Sequence, residues 1–462
     1  MDDTTYDVVV HQTEVYKGKR TTSYIVRWKV GKKRWKESLR NKAQADSFRS
    51  SLVSAARKGE AFSLKTGRPV SWQRDEDAIT WYAFSVDYCA AKWSYASPNH
   101  RRGIAEALTD ATEVLLTSSK GAPAGTLLRE ALRGWAYSGR HQNGGEPPEH
   151  LLPALRWLER NTIDMRELAP DRQGPQIARQ VLDRLSRKQD GSPAAGSTAT
   201  RKRATFNNAM EYACERRILA VNPLTLVKWT RPRVAQTLDL RVVANPDQAR
   251  RLLDAVRAQG KRGERMVGFY AVMYYAALRP EEAVDLRRDH LVSLPDDGWG
   301  EMRLTHAEPR SGSRWTNSGK PRDKQPLKHR APGETRSVPI HPELVTLLRH
   351  HIKAFNIQPE GRLFVGPRGG IMTDRTYLGM WHKARQMALS PHEAASPLAE
   401  TPYALRHAAV STWLGAGVPA AQVAEWAGHS VAVLLRVYAK CVAGQEDDAK
   451  RRIAEATRPK DG

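Results

Sequence analysis

Three residue types near the carboxyl end of the sequence could together act on a phosphate ester. Arg406 lies early in an apolar-periodic helical segment, His429 stands in a Gly-His-Ser turn, and Tyr438 follows that histidine by nine residues. A guanidinium is a planar, permanently charged fork that suits phosphate oxygens. A tyrosine hydroxyl has a reference pKa of about 10 and must lose its proton as it attacks. This stretch therefore combines a group that can bind phosphate with a potential nucleophile.

A second arginine lies far upstream, in the apolar segment MVGFYAVMYYAALRPEEAVDLRRDHL. Arg279 ends one predicted helix there, and Pro280 opens another that contains Glu282. Taken alone, Leu-Arg-Pro is typical of an ordinary turn between helices. That interpretation weakens because the second arginine, the Gly-His-Ser turn and the tyrosine follow it in order.

This order of residues resembles the tyrosine recombinases, the phage integrase family. The resemblance implies that Arg279, in a Leu-Arg-x-x-Glu motif, binds the scissile phosphate and that Glu282 supports the site. It also implies that Tyr438 attacks to give a 3′-phosphotyrosine and a free 5′ hydroxyl, with Arg406 and His429 on the same phosphate. The bond energy is kept, so rejoining needs no ATP. We expect no metal and no cofactor, since no run of carboxylates is present to hold a cation.

The family also places a catalytic lysine on a β-hairpin, where it reaches the leaving 5′ oxygen. Residues 302–340 predict such a hairpin region, with MRLTHA as one strand and ETRSVPIHP as the last. Lys328 is the best candidate for this lysine. Lys320 and Lys324 are alternatives, because the hairpin carries an insertion.

The sequence departs from the family at the start of the second arginine box. The usual pattern is His-x-x-Arg-His, whose first histidine assists proton transfer from the nucleophile, but here that position is Tyr403. A phenol can donate a hydrogen bond to phosphate but is a poor base at neutral pH. Base assistance is therefore left to another group or to water. His407, directly after Arg406, is expected to face away from it and to pack or hydrogen-bond behind the site.

Length and charge bound the wider organisation. The 462 residues suggest about three domains. A total of 74 Lys and Arg residues against 50 Asp and Glu residues gives a formal charge of +24, which indicates a polyanionic partner. No run of eighteen apolar residues and no signal-like start occur, so we expect a cytoplasmic protein without membrane contact. Three widely separated cysteines support neither a disulfide framework nor a zinc site.

The first 62 residues predict a small sheet backed by one helix. Segments 6–16 and 22–30 alternate in the manner of strands, a short third strand carries Trp35, and Asn41 is a plausible N-cap. Nine lysine and arginine residues and no acidic residue lie between the end of the first strand and the third strand. This charge favours a sheet that lies in a DNA groove. A solvated small domain is the alternative. The candidate DNA contacts are Lys17, Lys19, Arg20, Lys29, Lys32, Lys33 and Arg34.

Helical periodicity dominates residues 77–232, after a Gly- and Pro-rich linker at 63–76. The predicted helices are 78–92, 98–116, 126–137, 151–160, 176–187 and 198–217. The last of them resembles the closing helix of the family's core-binding domain. Arg201, Lys202 and Arg203 stand near its amino end, where cations oppose the helix dipole, and this indicates a phosphate there. An exposed basic turn is the alternative.

The predicted fold is therefore multidomain α+β. An arm-binding module (1–62) of a small sheet and a helix precedes an all-α core-binding domain (77–232), a mainly α catalytic domain with a β-hairpin region (240–440) and a tail (441–462).

The resemblance implies a DNA integrase of a prophage or mobile element, which exchanges strands between two duplex attachment sites through a Holliday junction as a homo-tetramer. A directionality factor or a host DNA-bending protein could join it. Two alternatives stay open. One is a type IB topoisomerase-like enzyme that relaxes DNA as a monomer, and the other is a non-catalytic DNA-binding protein on the same scaffold.

Overall fold

A computed structural model of the chain describes residues 4–17, 22–70, 72, 78–232, 237–442 and, in the tail, 450, 451, 453, 454 and 457. It is a mixed α+β structure, as predicted. Three groups of elements follow one another along the chain: a small sheet with one helix, a helical region, and a mainly helical region with a second sheet. None of the helices in these described ranges is long and apolar enough to cross a membrane.

The amino-terminal sheet is organised around the strand Thr22–Val30. One edge of this strand pairs with Lys33–Leu39, and the other edge pairs with Val8–Val10 and then Glu14–Lys17. The predicted first strand is therefore split in two by residues 11–13. A backbone hydrogen bond of 2.9 Å from His11 N to Arg27 O still holds this interruption beside the central strand.

Side-chain alternation along the central strand decides which face is buried. Val26, Trp28 and Val30 are buried and pack against the helix Lys42–Arg57. The predicted cap of that helix, Asn41, accepts a hydrogen bond from a backbone N–H three residues on, at 2.8 Å. One face of the sheet therefore forms the core of this region.

The basic residues of the sheet lie at the surface. The described candidates for DNA contact are all exposed: Lys17, Lys29, Lys32, Lys33 and Arg34. Lys19 and Arg20 lie outside the described residues. Their role on DNA stays a prediction.

The helical region has one core, centred on buried aromatic and leucine side chains such as Trp81, Leu108 and Phe206. Its α-helices are Trp81–Trp93, Pro98–Thr112, Gly125–Arg129, Gly139–Gln142, Leu152–Asn161, Gly174–Leu185 and Gly196–Glu215. The six predicted helices are present with shifted ends. The predicted helix 126–137 differs most, because its second half, Glu130–Ala136, is a π-helical turn.

The carboxy-terminal region has a larger core, into which the helices Pro246–Arg257 and Lys261–Tyr275 pack. The first of these has an N-terminal capping box from Asn245 and Gln248. The other α-helices are Pro280–Asp285, Pro342–Ala354, Asp374–Ala388, Pro391–Ala395, Tyr403–Gly415, Ala420–Ala427 and Val431–Val442. We call Tyr403–Gly415 the arginine helix and Val431–Val442 the tyrosine helix.

The predicted β-hairpin region forms a three-stranded antiparallel sheet. Gly300–Leu304 is the central strand, flanked by Leu291–Ser293 and Arg336–Ile340. Its first and last predicted strands are therefore paired directly, with Leu304 opposite Arg336. The long connection between these two strands, residues 305–335, contains the predicted insertion, and within it His306–Ala307 pairs antiparallel with Gln325–Pro326.

The insertion reaches across to the helical region. Trp315 is only 4% exposed and belongs to the helical core. The Arg101 guanidinium stacks 4.2 Å from the Trp93 ring centroid and donates to the carbonyl of Trp315 at 2.9 Å. The backbone N–H of Gly139 also donates to the Arg314 carbonyl at 2.8 Å. The insertion thus makes a second connection between the two large regions, besides the chain segment that joins them.

Candidate active site

Arg279 is positioned by the turn between two helices, as predicted. The helix Lys261–Tyr275 ends before Ala277, which has a left-handed φ of 50°, and Arg279 then caps the helix Pro280–Asp285. The Glu282 carboxylate accepts from the Arg279 backbone N–H at 2.8 Å and from its guanidinium at 2.9 Å. Burial alone lowers the pKa of Arg279, but the Glu282 carboxylate outweighs it and raises the pKa. The arginine is therefore held charged and oriented by the acid three residues on.

Arg336 is a site residue that the sequence interpretation missed. Its guanidinium makes a bidentate pair with Glu282, at 2.9 and 2.8 Å, and both side chains are about 99% buried. Burial acts to raise the pKa of Glu282, but Arg336 first and Arg279 second hold that pKa far below its usual range. The signal was present in the predicted strand, because alternation places Arg336 on the inward face with Val338 and Ile340. An arginine on a buried face requires a partner.

Arg406 lies on the arginine helix and is fully buried. Its guanidinium donates to the carbonyls of Ala277 and Ala427 and to His429 Nε2, the last at 2.8 Å. Burial, and then the charge of Arg279, lowers the pKa of Arg406 to about 10, so it stays protonated at neutral pH. The two predicted arginines are thus brought together from segments more than a hundred residues apart.

His429 is neutral in this arrangement. An arginine can only donate, so His429 Nε2 accepts and the ring proton lies on Nδ1. Burial first and the neighbouring Arg406 second lower the pKa of His429 to about 3. In the described part of the chain His429 Nδ1 has no hydrogen-bond partner. This N–H is the group that His429 could offer to a phosphate oxygen.

Gly428 is required by the close packing of the arginines. It ends the helix Ala420–Ala427 in the left-handed conformation, with φ of 65°, and its carbonyl accepts from Arg279 at 2.7 Å. A Cβ atom at this position would lie 2.2 Å from an Arg336 nitrogen. Glycine therefore lets the Gly-His-Ser turn approach both guanidinium groups.

Tyr438 lies on the tyrosine helix at a local break, where φ is −106° and ψ is 20°. The side chain is 1% exposed, and its hydroxyl lies 2.8 Å from Nδ1 of His407. The Tyr438 and His429 ring centroids are 6.1 Å apart. The structure thus gathers the predicted nucleophile, the two predicted arginines and the Gly-His-Ser histidine into one cluster.

His407 differs from the expectation that it lies behind the site. It contacts the Tyr438 hydroxyl directly, and burial first and Arg406 second lower the pKa of His407 to about 4. Tyr403, one turn earlier, packs edge-on against His407 with ring centroids 5.0 Å apart. Through this contact with His407, Tyr403 lies beside the cluster.

The candidate lysines all lie on the exposed insertion. Burial first, and then the charges of Lys328 and Arg279, lower the pKa of His329. Lys324 instead acts on the pKa values of Asp285 and His290. The role of Lys328, with Lys320 and Lys324 as the alternatives, stays a prediction.

One predicted DNA contact is wrong. Lys202 is buried, with its ammonium 2.6 Å from Asp110 and 3.3 Å from Glu106. It lies on the inward face of the helix Gly196–Glu215, where apolar neighbours recur at helical spacing, so the charge points into the helical core. Its neighbour Arg201 is exposed, and Arg203 stacks over the Trp229 ring at 4.8 Å.

Comparison with known proteins connects this site to a family. Residues 243–443 match the model of the phage integrase family. A tyrosine recombinase XerC from Nitrobacter winogradskyi is 25% identical over 197 residues, which cover 41% of this chain and 51% of that protein. The chain thus spans about half the length of the curated relative it matches.

Two solved structures that match this chain have lower sequence identity to it. The Tn1549 transposon integrase, residues 82–397 in complex with a circular intermediate DNA, is 18% identical with a TM-score of 0.47, covering 71% of this chain and 99% of that one. The XerH recombinase bound to difH is 10% identical with a TM-score of 0.46, covering 82% and 96%.

The matched range contains the whole cluster, from Arg279 to Tyr438, together with the insertion. Both arginine boxes, the Gly-His-Ser turn and the tyrosine lie on elements of one folded region. The part of the chain that carries the cluster is therefore the part that is similar to the phage integrase family.

Proposed function

We propose that the protein is a site-specific DNA recombinase, which cuts and rejoins duplex DNA at attachment sites through a 3′-phosphotyrosine intermediate. The observation that carries this proposal is a buried cluster of three arginines and one glutamate beside a buried tyrosine hydroxyl. The cluster consists of Arg279, Glu282, Arg336 and Arg406, and Tyr438 lies against it through His429.

The charges of the cluster favour an anionic substrate. Glu282 pairs with Arg279 and Arg336, whereas the contacts of Arg406 among the described residues are to backbone carbonyls and to the neutral His429. Three permanent positive charges thus share one carboxylate. A buried cation without a counter-ion is unfavourable, and a phosphodiester would supply the missing negative charge.

The same geometry supports a transesterification. Tyr438 Oη would attack the phosphorus, the phosphorus–O5′ bond would break, and the 3′ end would stay on the tyrosine. Arg279, Arg406 and the Nδ1–H of His429 would bind the non-bridging oxygens, where charge builds up in the transition state. Lys328 would protonate the leaving 5′ oxygen. The phosphodiester energy is retained in the phosphotyrosine, so the reverse attack reseals the strand without ATP.

The rest of the chain fits a role on duplex DNA. We propose that residues 1–62 bind arm-type sites through the exposed basic sheet, and that 77–232 and 240–440 are the core-binding and catalytic domains. The predicted linker, 63–76, begins inside the first module, because Ser63 pairs with Thr4 and Trp72 packs against Phe48. The charge of +24 supports a long polyanionic partner. In this proposal a homo-tetramer carries out strand exchange in the cytoplasm for a prophage or mobile element, with the tail at 441–462 available for contacts between subunits.

The test is a covalent trap. A pool of random-sequence duplexes with nicks on both strands is incubated with the full chain. Cleavage near a nick releases a short 5′-hydroxyl fragment, so the strand cannot be rejoined and the protein stays covalently bound to the DNA. Adducts that resist detergent are isolated and sequenced, and the enriched duplex becomes the substrate. Tyr438→Phe should bind this duplex like the wild type but form no adduct, since only a hydroxyl is lost.

Several results would contradict the proposal. An adduct formed by Tyr438→Phe would exclude Tyr438 as the nucleophile. No adduct from the wild type, with DNA binding intact, would favour the non-catalytic alternative. Relaxation of supercoiled plasmids of any sequence, without strand exchange, would favour the topoisomerase-like alternative.

A further inference from the structure

We propose that His407 is the catalytic base that accepts the proton of Tyr438 during cleavage, an inference that rests on the proposed function. The observation is direct: Nδ1 of His407 lies 2.8 Å from the Tyr438 hydroxyl oxygen. A general base has to be within about 2.6 to 3.2 Å of the atom it deprotonates. His407 touches the reacting atom itself, so it is placed to act in the chemical step.

The protonation state of His407 suits this role. Its ring is partly buried on the arginine helix, between the Tyr403 ring and the tyrosine helix. Burial and the adjacent Arg406 charge lower its pKa to about 4, so the imidazole is neutral at physiological pH. With the ring proton on Nε2, the Nδ1 lone pair accepts the hydrogen bond of the phenol. The tyrosine is thus held by the group that can take its proton.

The other groups near Tyr438 are less suited. The lone pair of His429 is used by Arg406, and its other nitrogen carries the proton. Glu282 is bound by Arg336 and Arg279, and those contacts hold its pKa far below the usual range. Tyr403 is a phenol, which is a poor base at neutral pH. His407 Nδ1 lies within hydrogen-bond distance of the nucleophile and offers a lone pair to it.

The proton balance of the step is complete. As the bond from Tyr438 Oη to phosphorus forms, the phenol proton moves to His407 Nδ1, and the phosphorus–O5′ bond breaks. The O5′ atom takes a proton from the general acid, for which Lys328 is the candidate. On rejoining, the 5′ hydroxyl attacks, and the His407 imidazolium returns its proton to the departing tyrosine. A bound phosphate, being an anion near the ring, raises the basicity of His407 when DNA is in place.

The first experiment is single-turnover cleavage of the enriched nicked duplex by His407→Asn. The asparagine oxygen can still accept a hydrogen bond near the Nδ1 position, but it cannot take a proton. We expect adduct formation to slow by about 10²-fold or more with DNA affinity unchanged, as is usual for loss of a positioned base. His382→Asn is the matched control, since His382 is exposed on the helix Asp374–Ala388, and it should cleave at the wild-type rate. His407→Gln replaces His407→Asn if the latter does not fold.

The second experiment separates proton transfer from positioning. A fluorinated tyrosine at position 438 has a more acidic phenol and needs less help to ionise. In the His407→Asn chain it should restore most of the lost rate, whereas a role in packing alone predicts no rescue. If His407→Asn cleaves the duplex at the wild-type rate, this inference is wrong, and the proposed function is not affected. Absence of any adduct from the wild type would instead contradict the proposed function.

Discussion

The helical region and the catalytic region each bury a cluster of charged side chains, but the two clusters differ in their charge balance. In the helical region Lys202, Arg129 and Arg184 pair with Asp110 and Glu113, and Glu106 approaches the lysine as well. Three cations there meet three carboxylates. In the catalytic region three arginines share the single Glu282.

The difference separates a structural ion-pair network from a binding site. A balanced network needs nothing more and serves to hold helices together. A buried excess of positive charge is unfavourable in the free protein and becomes favourable only when an anion arrives. The three buried arginines therefore leave a net positive charge that an anion could balance, whereas Lys202 already has its carboxylate partners in place.

The largest effect on stability should come from breaking the balanced network. Asp110→Ala removes the main partner of the buried Lys202 and of Arg129. We expect the free energy of unfolding to fall by about 3 kcal/mol, at the low end for a broken buried pair because Glu106 remains near the lysine. Urea unfolding measures the change. The control Glu113→Ala, whose carboxylate is 40% exposed, should lose less than about 1 kcal/mol. Equal losses in both variants would show that burial does not decide the strength of this network.

Gly428→Ala, in the cluster of three arginines and Glu282, should lower the free energy of unfolding by less than Asp110→Ala does. The left-handed backbone disfavours a side chain by about 1 to 2 kcal/mol, and the new Cβ would also displace the Arg336 guanidinium. We therefore expect a lower melting temperature together with slower adduct formation. Gly415→Ala is the control, because its Cβ would meet no atom within 4 Å, and stability should change by less than about 0.5 kcal/mol. Wild-type cleavage by Gly428→Ala would mean that the cluster can tolerate a displaced Arg336.

The smallest effect is expected for Tyr403→Phe. If the phenol only donates a hydrogen bond to the phosphate, its loss should cost about 1 kcal/mol, or several-fold in the rate of adduct formation. Tyr403→His should remain active, since the site already accepts an aromatic ring there. A thousand-fold loss in Tyr403→Phe, with DNA binding intact, would assign the proton transfer to Tyr403 rather than to His407.

Local sequence periodicity predicts the burial of two of these charged side chains. Strand alternation already placed Arg336 inward, and helical spacing placed Lys202 on the same face as Phe206. At such positions a charged side chain is buried with a partner, as Arg336 is with Glu282 and Lys202 is with Asp110. The Arg279 and Glu282 pair was predictable because it is local, three residues apart on one helix start.

Other features depend on packing between distant segments. The contact from His407 to Tyr438 exists because two helices, separated by a third, cross at these residues. Trp315 enters a core whose other buried members lie between Trp81 and Leu224, and the sequence of the insertion has no periodicity that predicts this contact. Such contacts depend on how helices and strands pack against one another. Local sequence periodicity does not specify this packing.

In the proposed function, the excess of buried positive charge stabilises the charge of the scissile phosphate. This role is tested most directly by cleavage of two versions of the enriched duplex, one with a normal phosphate and one with a neutral methylphosphonate at the cleaved bond. Arg406→Ala should slow adduct formation on the phosphate by about 10² to 10³-fold, as for loss of a positioned donor to a developing oxyanion. On the methylphosphonate, which has one negative charge less, the same variant should lose less than about tenfold. Equal losses on both substrates would show that Arg406 supports the fold of the site rather than the charge of the phosphate, and would contradict this account.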